Sequence, residues 1–95
     1  MSTVIAETEF TVRKTTTGSM IFAVPPAGST GGHSHPSREI WIVRAGTGHV
    51  LIDGARHELA PSETPLIIEP DSHHRVFADP EAELVILSLW WRDQQ

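Results

Sequence analysis

Turn-forming residues recur along this chain so closely that a long helix has no room between them. Pro25-Pro26-Ala27-Gly28, Thr30-Gly31-Gly32, Gly46-Thr47-Gly48, Asp53-Gly54, Pro61, Pro65, Pro70 and Asp79-Pro80 divide it into pieces of about five to ten residues. Such pieces suit strands, and those between the turns are rich in β-branched and aromatic residues. Eight strands are expected, over residues 9–12, 20–24, 39–43, 49–52, 56–59, 66–68, 74–78 and 83–91. Asp53-Gly54 supplies the positive φ values of a two-residue type I′ hairpin. The expected fold is all-β and antiparallel, in two packed layers or a closed barrel.

Ninety-five residues make one domain, residues 1–95, whose thin core a second copy would help to complete. Alternation along the strands points the same way. Glu39, Trp41 and Val43 share one face, while Ile40 and Ile42 share the other with Arg38 and Arg44. In residues 83–91 neither face is plainly polar, so a covering layer is expected, and a homodimer provides it.

Composition removes several functions. There is no cysteine, hence no disulfide framework, thiolate metal site or cysteine nucleophile. Seven Lys and Arg stand against twelve Asp and Glu, for a net charge of −5, which lacks the phosphate-neutralising surface of a nucleic-acid binder. The longest apolar run, residues 20–24, is far short of the ~20 residues of a membrane span, and no signal-peptide core opens the chain. The expected location is cytoplasmic.

The chemistry lies in the histidines. His33-Ser34-His35 follows a glycine-rich loop, and His73-His74 follows Pro70-Asp71-Ser72. In extended chain His33 and His35 project to one face, about 6–7 Å apart. Pro36 bends the chain before Glu39, which brings a carboxylate back towards both imidazoles. An antiparallel neighbour beginning at His74 can deliver a third imidazole. Three imidazoles with one carboxylate suit a divalent first-row metal. His49 and His57 fall on opposite faces of the Asp53-Gly54 hairpin, because its register pairs Val50 with His57; they are surface or pairing residues.

At these positions the chain resembles the cupin superfamily. His33, His35, Glu39 and Gly46 stand at the intervals of its first motif, with Gly28 one place nearer to the histidines than the usual leading glycine. The second motif is looser: His74 aligns with its histidine and Pro70 stands one place late for its proline, while Asp71 replaces a glycine, Ala78 an asparagine and Glu63-Thr64 a Gly-Asp pair. These motifs lie within residues 28–78, flanked by strands in 9–24 and 83–91. The resemblance implies a jelly-roll barrel holding one divalent metal (iron, manganese, nickel, zinc, cobalt or copper) on His33, His35, Glu39 and His74, with His73 the alternative to His74.

A small organic substrate is the expected partner, with Phe22, Trp41 and Phe77 as core residues that also wall its pocket. Arg38, Arg44 and Arg75 have the opposite parity to the ligands, which disfavours an anion held by arginine inside the barrel. The expected activity is that of a metal-dependent, dioxygenase-type oxidoreductase, in which Glu39 and His73 are the candidate catalytic residues. Alternatives are a Lewis-acid isomerase or lyase on the same site and a non-catalytic binding module.

Overall fold

The structure, a computed structural model, describes residues 15–93. Seven strands follow in order: β1 (Thr15–Val24), β2 (Arg38–Ala45), β3 (Gly48–Ile52), β4 (Ala55–Leu59), β5 (Leu66–Ile68), β6 (His74–Ala78) and β7 (Leu84–Asp93). The strand expected over residues 9–12 lies outside the described residues. Among these no helix is long and apolar enough to cross a membrane.

Two antiparallel sheets form, one ordered β1-β7-β2-β5 and the other β4-β3-β6. Period-2 alternation directs the core. From the larger sheet Val24, Trp41, Val43, Ile68, Leu84 and Ile86 face Val50, Leu59, Val76 and Ala78 of the smaller one. The two packed antiparallel layers are those the turn spacing predicts, and the architecture is the jelly roll that the resemblance implies.

Asp53 and Gly54 both adopt positive φ, 48° and 85°, and the hairpin they close pairs Val50 with His57, as expected. β1 differs from its expected extent: it starts at Thr15, five residues earlier than Met20. Its polar opening, Thr15-Thr16-Thr17-Gly18-Ser19, reads as loop in isolation but forms a continuous ladder with β7, from Thr15↔Asp93 to Val24↔Leu84. A neighbouring strand satisfies backbone groups whatever the side chains are, which overrides local propensity.

Residues between β1 and β2 form a further partner for β6. Ser29 bridges to Phe77 and His33 to His74, with His33 N–H donating to the His74 carbonyl at 2.9 Å and His74 N–H donating back at 2.8 Å. This exchange sets the two histidines directly opposite one another.

Candidate metal centre

Three elements converge at one end of the space between the sheets. His35 lies on the segment before Pro36, Glu39 is the second residue of β2, and His74 opens β6. The bend at Pro36 and Ser37 turns Glu39 back, so its Oε1 stands 3.2 Å from His35 Nε2. The His35 and His74 rings meet edge to face, with centroids 4.9 Å apart. One donor atom from each of His35, Glu39 and His74 lies within 4.8 Å of the others.

Trp41 organises this group from below. Its Nε1 donates a buried hydrogen bond of 2.7 Å to Glu39 Oε2, and its ring packs edge to face on His74 at 5.4 Å. His74 Nδ1 lies 3.3 Å from the Ser72 carbonyl. That acceptor assigns the proton to Nδ1 and leaves the Nε2 lone pair free for another partner. Burial holds the His74 pKa below that of an ordinary imidazole, outweighing the Ser72 hydrogen bond and the Glu39 charge, which raise it.

These residues fit a divalent ion. The separation of His35 Nε2 and Glu39 Oε1 matches two ligands on one metal at bond lengths of about 2.0–2.2 Å, and His74 offers a neutral imidazole alongside. A two-imidazole, one-carboxylate set suits first-row transition metals. His33 stands off from it. Its ring centroid is 6.3 Å from that of His74, and it is exposed, so a fourth protein donor requires its side chain to turn inward.

A cavity of about 350 Å³ opens beside the group. His33, His35, Glu39 and His74 line it together with Met20, Phe22, Trp41 and Val76, and Thr30 and Ser88 add two hydroxyls. Phe22 and Trp41 pack edge to face at 5.5 Å and form part of its wall. A second groove continues at the mouth, past Pro36 and Ser37 to Trp90 and Arg92.

Two expected site residues lie elsewhere. Phe77 is not on the cavity wall: it stacks on His49 at 4.7 Å, beneath the Arg75 guanidinium, on the outer face of the smaller sheet. Three residues from His74, it has the opposite parity. His73 also turns away. Its ring lies against Gly32, and its N–H donates to Asp53 Oδ1 at 2.8 Å while its carbonyl accepts from Asp53 N–H at 2.8 Å. Adjacent residues of a strand cannot share a face, so with His74 directed inward His73 tethers the hairpin instead.

Arg38 pairs with Glu69 at 2.8 Å and Arg75 donates to the Thr30 carbonyl at 3.1 Å; neither they nor Arg44 line the cavity. Arg92 at the mouth and Ser88 on the inner wall belong to neither histidine motif. The available signal is parity: Leu84, Ile86, Ser88, Trp90 and Arg92 form one face of β7.

Residues 20–90 match the family model described as Cupin domain. The chain belongs to this family. Among solved structures it is similar to a Cupin 2 conserved barrel domain protein from Salinispora arenicola, with 28% identity over 80% of this chain and 63% of that one, at a TM-score of 0.70. The plu4264 protein from Photorhabdus luminescens is 25% identical over 80% and 62% of the two chains, with a TM-score of 0.74. The polyketide cyclase RemF from Streptomyces resistomycificus shares the fold at 22% identity and a TM-score of 0.70, over 83% and 57%. This chain thus spans less than two thirds of the length of each of these structures.

Proposed function

We propose that this cupin holds one divalent transition metal on His35, Glu39 and His74 and acts on a small organic molecule in the adjoining cavity as a dioxygenase-type oxidoreductase. The observation that carries this reading is the three-donor group at the mouth of an apolar cavity of about 350 Å³. Three protein donors leave coordination positions open, as catalytic sites require and closed structural sites do not.

A bound iron or copper ion would supply oxygen chemistry, whereas zinc, manganese or nickel would supply Lewis-acid activation. The chain's own residues do the rest. His35 and His74 present imidazole nitrogens, and Glu39 contributes the negative charge that lowers the net charge of the centre. Trp41 keeps Glu39 Oε2 occupied, so Oε1 is the atom that ligates or accepts a proton from the bound molecule. Met20, Phe22, Val76 and the Trp41 ring hold the organic body and exclude water. His33, at the rim, is the fourth donor once its side chain turns inward.

Metal-free protein reloaded separately with each cation tests the reading. One metal per chain, with oxygen uptake restored by iron or copper alone, supports it. Turnover restored by zinc, manganese or nickel without oxygen uptake supports the Lewis-acid alternative. Indifference of activity and stability to every cation overturns both.

A further inference from the structure

The turn at residues 69–73, between β5 and β6, reaches both imidazole donors. Asp71 N–H donates to the His35 carbonyl at 2.8 Å, and the Ser72 carbonyl faces His74 Nδ1 at 3.3 Å. A third tie runs to the start of β2, where Arg38 Nε and Nη2 donate to Glu69 Oε2 at 3.1 and 2.8 Å, one residue before Glu39. A single side chain closes this turn from within. Ser72 Oγ–H donates to the Glu69 carbonyl at 2.7 Å, and Ser72 N–H donates to the same oxygen at 3.3 Å. Ser72 is 8% exposed and has the parity of His74, and its hydroxyl is paired inside the fold, as a buried polar group ordinarily is. Asp71 completes the turn at a φ of 63°, in the left-handed region that Asp tolerates better than most residues.

We propose that Ser72 is a positioning residue of the metal centre: its hydroxyl holds the turn closed, and the closed turn presents the two backbone groups that aim His35 and His74. The assignment rests on the metal-site reading above. With Oγ fixed on Glu69, the Ser72 peptide has one orientation, and its carbonyl keeps the His74 proton on Nδ1 and directs Nε2 at the other donors. Replacing the hydroxyl by hydrogen leaves the Glu69 carbonyl only the longer 3.3 Å bond. The Ser72 carbonyl is then free to swing, and the imidazole loses its fixed tautomer together with its direction. Alanine strands no polar donor in the interior, so the fold itself loses little. A hydroxyl also closes the turn before β5, where Ser62 Oγ accepts from Thr64 N–H at 3.0 Å, in a segment that carries none of the donors. Ser62 therefore serves as the comparison.

The test pairs zinc affinity, from competition with a chelating dye, with the position of the His74 ring proton, from long-range proton–nitrogen NMR correlations of metal-free protein at about pH 8. Wild-type His74 should carry its proton on Nδ1. Ser72→Ala should bind zinc about tenfold more weakly and show a mixture of the two tautomers, while Ser62→Ala should change neither. A purely structural hydroxyl would lower the melting temperature without moving the proton. Zinc affinity of Ser72→Ala within about twofold of wild type, a loss of affinity with the tautomer unchanged, or a matching loss in Ser62→Ala would overturn the assignment. So would a Ser72→Ala chain that does not fold, which gives the hydroxyl to stability alone, or a wild-type ring protonated on Nε2. Zinc uptake by the wild-type chain separates the two levels. A wild type that takes up no zinc overturns the metal reading and this assignment with it, whereas normal uptake with any of the other results overturns the role of Ser72 alone.

Discussion

Trp41 and Glu39, two residues apart on β2, are joined side chain to side chain by a buried 2.7 Å hydrogen bond from the indole Nε1 to Oε2. Their common face is a consequence of strand alternation, and the bond leaves Glu39 one oxygen for His35 or an ion. Trp41→Phe keeps most of the ring and deletes the donor. It should weaken zinc binding about tenfold or more, in line with the loss of a group that orients a ligand, and lower stability by about 2 kcal/mol through lost packing. Competition with a chelating dye measures the first and urea denaturation the second. Trp90→Phe, which leaves that hydrogen bond intact, should not change zinc affinity.

The ligands should not be equivalent. His35→Ala, His74→Ala and Glu39→Gln each remove a member of the convergent group, and each should reduce zinc affinity about a hundredfold or more. His33→Ala removes the side chain that stands apart and should cost about tenfold. Metal content after dialysis against a weak chelator checks the order. An equal loss in all four would mean that His33 belongs to the central set.

Stability of the metal-free protein should depend on His74. Burial holds its folded pKa below the ordinary value of 6.5, so between the folded pKa and 6.5 the unfolded chain binds the extra proton. Stability therefore rises with pH across that window, is fully present above about 6.5, and is lost as the pH falls towards the folded pKa. Urea midpoints measured from about pH 7.5 to 5 should decline towards acid, and His74→Gln should flatten the decline. Loaded protein should show a steeper fall, because protons also displace the ion.

Two glycines with positive φ should respond differently to alanine. At Gly46, φ is 76° and an added Cβ would collide with the Glu83 carbonyl, whereas at Gly54, φ is 85° and none of the described residues comes within 4 Å of an added Cβ. Gly46→Ala should cost about 3 kcal/mol or more, combining backbone strain with a clash against main chain. Gly54→Ala should cost only about 1 kcal/mol, from strain alone. Chemical denaturation of the two variants makes the comparison.

The outer face of the larger sheet should mediate self-association. Ile21, Ile67 and Leu89 are 66%, 53% and 39% exposed, and the ladders align Ile21, Leu87 and Ile42 in one row and Leu89, Ile40 and Ile67 in the next. A contiguous apolar face of this kind suits a second copy packed sheet to sheet. Light scattering should give a dimer at micromolar concentration, and Ile21→Lys with Leu89→Lys should give a folded monomer. A wild-type chain that stays monomeric under those conditions would contradict the prediction.

What the amino-acid sequence determined by itself was everything that depends on neighbours along the chain. Glycine and proline spacing specified short strands, Asp53-Gly54 specified the hairpin and its register, and alternation placed Glu39, Trp41 and Val43 on one face. Parity also contained the exclusion of His73 and Phe77 from the cavity, and the alignment of Ser88 and Arg92 with it, since adjacent strand residues point to opposite sides. Tertiary structure decided what depends on partners distant in sequence. The polar start of β1 is a strand because β7 supplies its hydrogen bonds. His74 meets His35 because the His33↔His74 bridge fixes the register between two segments some forty residues apart. That same packing leaves His33 at the rim and, among the described residues, Ser88 without a hydrogen-bond partner on an apolar wall. Alternation is a local property of extended backbone, whereas strand order and register are set by burial summed over the whole core, and which donors converge follows from those two alone.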